Sequence, residues 1–108
     1  MKIIISTKNI LLDSALETFI QDKIGGLDHL VGNSDGEARV EIGKPSQHHQ
    51  SGPVFYAEVN LKLGGALLRA TCQHEDLRNA IVDVKNELQV QIKKFKDKRT
   101  DFERQSQE

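Results

Sequence analysis

Apolar residues along this chain switch between two spacings, and the switches mark out its elements. KIIIS (2–6) is a short apolar run bounded by polar residues and predicts a buried strand. From Asp13 to Val31 the spacing turns helical. Leu16, Ile20, Ile24, Leu27 and Val31 fall on one stripe, with Phe19 and Leu30 at its edge. Ser14 with Glu17 three residues later fits a capping box, and Asp13 is an equally good N-cap. Gly25 and Gly26 interrupt the stripe at about 1 kcal/mol each relative to Ala, so the helix is expected to fray or bend there.

GNSDGE (32–37) predicts a loop, and ARVEIG (38–43) a half-buried strand with Ala38, Val40 and Ile42 inward. Residues 44–53 form a polar, Pro-bounded loop. A hairpin follows. Phe55, Ala57, Val59, Leu61 and Leu63 alternate with Glu58, Asn60 and Lys62, and Gly64–Gly65 supplies a two-residue turn that needs positive φ. On the return, Ala66, Leu68, Ala70 and Cys72 alternate with Arg69, Thr71 and Gln73. The sheet therefore has one apolar and one wet face.

Helical spacing returns over residues 75–98, about 36 Å at 1.5 Å per residue. Leu77, Ile81, Val84, Leu88, Ile92 and Phe95 form its buried stripe. Glu75 and Asp76 suit its N-terminus, and Lys96, Lys98 and Arg99 suit its C-terminal end. Residues 99–108 are expected to be a flexible tail, leaving 1–98 as one α+β domain. The order β-α-β-β-β-α with two amphipathic helices implies a four-stranded sheet covered by both helices on one face.

Composition narrows the functional classes. With 108 residues, 37% hydrophobic and 29% charged, this is an ordinary globular chain with one modest core. No apolar run approaches the ~20 residues of a membrane helix, and MKIIIS is too short for a secretory signal. The single Cys72 excludes an intrachain disulfide and suits the cytoplasm. The net charge is −1 but unevenly spread: residues 1–77 hold 7 basic and 10 acidic groups, and 78–108 hold 8 and 6.

Chemistry for catalysis is absent from the motifs. There is no phosphate-binding glycine loop, no zincin helix and no nucleophile motif. Cys72, two residues before His74, falls on the apolar face of its strand and reads as a core thiol. His48, His49 and His74 lack the paired spacing of metal ligands. No catalytic residue, metal, cofactor, membrane or small-molecule substrate is therefore expected.

The last helix is more informative. At about 100° per residue, Arg78, Lys85 and Lys96 line one flank of its apolar stripe, with Gln89 between them and Lys93 further round. The other flank holds Asp76, Asp83 and Glu87, relieved by Lys94. The basic edge widens into Lys93–Arg99. Such an edge suits a phosphate backbone, and charge alone equally suits a solvated helix end.

The passage QHEDLRNAIVDVKNELQVQIKKFKDK (73–98) resembles the second helix of the ribosome hibernation promoting factors, or ribosome-associated translation inhibitors, of the sigma-factor modulation protein family. Their helix typically opens His-Glu-Asp-Met-Tyr and ends Lys-rich. His74, Glu75, Asp76, Ala80, Ile81, Leu88, Gln91, Lys94 and Lys98 match in register, as do Leu16, Ile20, Lys23, Ile24 and Leu27 upstream. The resemblance covers about residues 1–98. It implies a domain shaped like a double-stranded-RNA-binding domain that lodges on the small ribosomal subunit, in the path of messenger and transfer RNA, in starved or stationary cells. Contacts would be cations on ribosomal RNA phosphates. Lacking a second domain, the chain is expected to be of the short class. The residues implied are Lys23, Arg78, Lys85, Lys93, Lys94, Lys96, Lys98 and Arg99. Lys23, Lys94 and Lys98 match family positions, and the others follow from charge geometry.

The chain also departs from the family. Glu87 and Val90 stand where cations are usual, Arg78 replaces a Tyr, and Gly26 and His29 stand where Lys is common. The lost cations belonged to the flank that is acidic here, and the gained ones lie opposite. The expectation is a shifted basic edge. The alternative is a protein-interaction module of the same fold that has left the ribosome.

Overall fold

The structure, a computed structural model, describes residues 1–32, 36–45 and 55–106, with 99–106 described by backbone alone. Its elements are β1 (Lys2–Lys8), α1 (Ser14–Gly25), a single turn α2 (Asp28–Val31), β2 (Gly36–Gly43), β3 (Phe55–Leu63), β4 (Ala66–His74) and α3 (Leu77–Ser106). The four strands form one sheet in the order β1-β2-β3-β4. β1 runs parallel to β2 (Ile5 opposite Val40), and β2, β3 and β4 pair antiparallel (Val40 opposite Val59, Val59 opposite Ala70). This is the expected α+β architecture.

Period-2 alternation puts Ala38, Val40 and Ile42 of β2 and Ala57, Val59, Leu61 and Leu63 of β3 on one face, all buried. Leu16, Ile20 and Ile24 of α1, Leu27 and Val31 beyond it, and Ile81, Val84, Leu88 and Ile92 of α3 close over that face. The central side chains are fully excluded from water, each contributing roughly 1.5–3 kcal/mol. The opposite sheet face is open. There Glu58 pairs with Arg69, and the Tyr56 hydroxyl donates to Glu41 at 3.1 Å.

Local chemistry sets the helix boundaries. Asp13, not Ser14, caps α1: its carboxylate accepts from the Leu16 N–H at 2.7 Å. α1 stops at Gly25, where the paired glycines weaken the helix, and Leu27 starts the short turn α2. At α3, Asp76 Oδ1 accepts from the N–H groups of Arg78 (2.8 Å) and Asn79 (3.3 Å), so the helix begins at Leu77 rather than 75. Gly64 and Gly65 take φ of 54° and 85°, as the hairpin turn requires.

Three expectations need correction. The triple-Ile run is not buried on both sides, because β1 is an edge strand: Ile3 and Ile5 are half-buried and Ile4 is 37% exposed on the open face. β2 begins at Gly36, inside the predicted loop, because Gly36 and Glu37 continue the ladder opposite Leu63 and Lys62. Helical backbone runs past residue 98 to Ser106, since no Gly or Pro stands there to stop it. The His48–His49 loop lies outside the described residues.

Candidate nucleic-acid interface

The two flanks of α3 face different neighbours. The flank carrying Arg78, Lys85 and Lys96 turns toward α1 and α2. Arg78 lies over the ring of Phe19, with its guanidinium carbon 5.2 Å from the ring centroid. Lys23, one turn along α1, approaches the same ring at 5.6 Å. Lys85 lines a groove of about 290 Å³ together with Lys23, Asp22, His29 and Gln89, floored by Gly26 and Leu27. Lys96 Nζ donates to the Leu30 carbonyl at 3.0 Å, joining α3 to the end of α2. Four predicted cations from two distant segments thus gather along one seam between helices.

Phe19 organises the upper end of this seam. Two cations beside one ring repel each other, and each is attracted to the ring face, at about 0.5–1 kcal/mol for exposed pairs. Among the described residues neither Lys23 nor Arg78 forms a salt bridge. Acids are close by: Asp22 lines the groove, and Asp13, Glu75 and Asp76 line a second hollow that Arg78 borders. Asp13 and Asp76 in that hollow are occupied as helix caps. The seam therefore gathers Lys23, Arg78, Lys85 and Lys96 around a groove that Asp22 partly offsets, a setting suited to an oxyanion ligand.

The other flank of α3 lies along β4. Gln91 Nε2 donates to the Arg69 carbonyl on β4 at 2.8 Å and to Glu87 at 3.3 Å. Asp83 and Glu87 sit close enough to Cys72 to push its thiol pKa upward, in addition to the larger effect of burial. The thiol is half-buried on the inner sheet face and packs against the core, a setting opposed to reactivity. His74 serves the start of α3 through Nδ1, which accepts from the Asp76 N–H at 3.0 Å. Among the described residues no group of three or more His, Cys, Asp or Glu side chains could hold a metal ion.

The eight predicted cations do not form one edge. Lys23, Arg78, Lys85 and Lys96 share the seam. Lys93 is exposed on the outer face of α3. Lys94 and Lys98 fall on the β4 side, lining a separate hollow with Leu68, Gln91 and Phe95. The side chain of Arg99 lies outside the described residues. Phe19 was missed as a site residue because its sequence signal, an apolar residue at the edge of a stripe, is that of an ordinary core position.

Comparison with known proteins follows the same lines. The sequence model of the Sigma 54 modulation protein / S30EA ribosomal protein family matches residues 3–100. The crystal structure of the Thermus thermophilus Protein Y N-terminal domain is similar at 25% identity with a TM-score of 0.72, covering 88% of this chain and 99% of that one. A ribosomal subunit interface protein from Coxiella burnetii is similar in fold at 16% identity with a TM-score of 0.74, covering 89% and 98%. No curated protein matches the sequence.

Proposed function

The chain belongs to the Sigma 54 modulation protein / S30EA ribosomal protein family, and from that membership we propose that it is a ribosome-associated hibernation factor acting in the cytoplasm. It binds the small ribosomal subunit in the path of messenger and transfer RNA and keeps both out during starvation or stationary phase. It acts as a steric block, without catalysis. The observation that carries this reading is the seam: Lys23, Arg78, Lys85 and Lys96 converge between α1–α2 and α3. Lys93, Lys94 and Lys98 extend the cationic surface along the same helix, and Arg99 follows them in sequence.

Ribosomal RNA phosphates are the natural partner for such a surface, since A-form RNA is recognised through shape and backbone rather than through its deep major groove. The shift of cations away from positions 87 and 90 moves the contact to the α1-facing flank without removing it. Arg78 supplies a fork of donors where the family has a phenol, and Arg engages phosphate oxygens in pairs.

Co-sedimentation with purified small ribosomal subunits across ~50–300 mM salt tests the reading, because counterion release makes phosphate binding fall steeply over that range. A steep fall, with inhibition of translation in a reconstituted system, is expected. Absence of binding at the lowest salt would overturn it. Binding indifferent to salt would point instead to a protein-interaction module of this fold.

A further inference from the structure

The hollow on the β4 side of α3 differs in chemistry from the seam. It is an open surface hollow of about 230 Å³ lined by Leu68, Gln91, Lys94, Phe95 and Lys98. An apolar cavity of ~150 Å³ accommodates a benzene ring, so this hollow has room for a planar ring system. Its floor is the half-buried ring of Phe95 and the side chain of Leu68, and its rim carries two ammonium groups one helical turn apart.

Gln91 adds a fixed polar feature. Its amide nitrogen donates to the Arg69 carbonyl and to the Glu87 carboxylate, two groups that only accept, so the orientation of the amide is determined. Gln91 lines the hollow, and its Oε1 is the acceptor those two bonds do not use. Ring stacking surface, one oriented acceptor and two cations together match a nucleotide: base on Phe95, exocyclic amino group on Gln91, phosphate on Lys94 and Lys98. The cations also favour an anionic occupant over a purely apolar one.

We propose that this hollow binds one unpaired nucleotide of RNA. The choice of RNA rests on the ribosome reading above. The path is continuous: Lys96, Lys93, Lys94 and Lys98 follow one another around the solvent side of α3 at 100° per residue, with Asp97 among them, linking seam to hollow. A strand that leaves a duplex held at the seam passes around the helix and inserts a base. The domain would then read a junction between paired and unpaired RNA, not a duplex alone.

Fluorescence anisotropy with three labelled probes tests this: a hexa-adenylate, the same oligonucleotide with abasic sites, and a blunt RNA duplex. The wild-type chain is expected to bind the hexa-adenylate roughly tenfold more tightly than the abasic probe. Phe95→Leu, which keeps an apolar side chain but removes the ring, is expected to erase that difference and leave duplex binding unchanged. Phe95→Tyr is expected to keep it. Equal binding of the base-bearing and abasic probes by the wild type would overturn the proposal. So would an equal loss on duplex and single strand in Phe95→Leu, or a glutamate-rich peptide that binds as tightly as the hexa-adenylate and is released by the same substitution. Parallel co-sedimentation with small subunits separates the two readings: a base-dependent hollow in a chain that ignores ribosomes refutes only the ribosome reading.

Discussion

Neutralising the seam while keeping its stems gives the sharpest test of the proposal that the chain holds RNA there. The variant carries Lys23→Gln, Arg78→Gln, Lys85→Gln and Lys96→Gln. Each phosphate contact contributes about 0.7–0.9 to the slope of log K against log salt, so four lost contacts flatten that slope by about 3. At ~0.1 M salt the same four contacts correspond to about three decades of affinity, or ~4 kcal/mol. Folding must survive for this to be read. Losing two cation–ring contacts and the Lys96–Leu30 hydrogen bond costs about 2–3 kcal/mol, within the 5–15 kcal/mol typical of a domain. Thermal unfolding of the variant verifies it. A control with Lys2, Lys8, Arg39 and Lys62 changed to Gln alters the net charge equally, and none of these residues borders the seam. Co-sedimentation should find the seam variant ~10³-fold weaker and the control within about threefold of the wild type. Equal losses in the two variants would mean that only bulk charge matters, and the seam would lose its role.

Other consequences concern the frame that holds this surface. Asp13→Ala should destabilise the fold by about 1 kcal/mol in urea unfolding while Ser14→Ala changes little, because the Asp13 carboxylate holds the Leu16 N–H. Gly43→Ala should cost about 2 kcal/mol or more at unchanged m-value: a Cβ there meets the backbone of Lys8, its carbonyl carbon at 2.9 Å and its nitrogen at 3.0 Å, and pushes β1 off the Lys44 N–H that now bonds it. Tyr56, the single tyrosine, has its pKa pushed up from 10 to about 12 by burial first and then by Glu41 and Glu58. Tyrosinate absorbance should therefore inflect near pH 12. Because the folded state holds that proton more tightly, the associated stability is complete below pH 10 and is lost as pH rises through about 12.

Where two independent signals coincided, the sequence was readable. Leu16, Ile20, Ile24, Leu27 and Val31 shared a stripe and all are buried, and Gly64–Gly65 lay between alternating strands and forms the turn. Where one signal stood alone, a neighbour decided. Asp13 and Ser14 were equivalent caps until backbone geometry placed the carboxylate near the Leu16 N–H. The Ile run of β1 carries no record of its place at a sheet edge. The same limit applied to the site. A helical wheel gives the angle of a lysine and says nothing of what covers that angle. The wheel sets Lys94 opposite Lys96, yet it does not show that Lys94 and Lys98 border a hollow against β4 while Lys96 meets α2. The meeting of Lys96 with Leu30, 66 residues apart, leaves no trace in spacing.

The sorting of charge on α3 also bears on how the molecule travels to its target. With a net charge of −1, the whole chain is not drawn to a polyanion from afar. Attraction arises only from uneven placement of charge, with Lys23, Arg78, Lys85 and Lys96 gathered at the seam and Asp83 and Glu87 on the β4 side, a dipolar field that decays faster with distance than that of a monopole. Within about one Debye length, ~8–10 Å, it exerts a torque that turns the seam inward. Encounters with RNA in the bulk are thus brief unless the surface is presented correctly. A small protein with such a charge distribution can diffuse past other nucleic acid and be retained chiefly where shape and orientation agree.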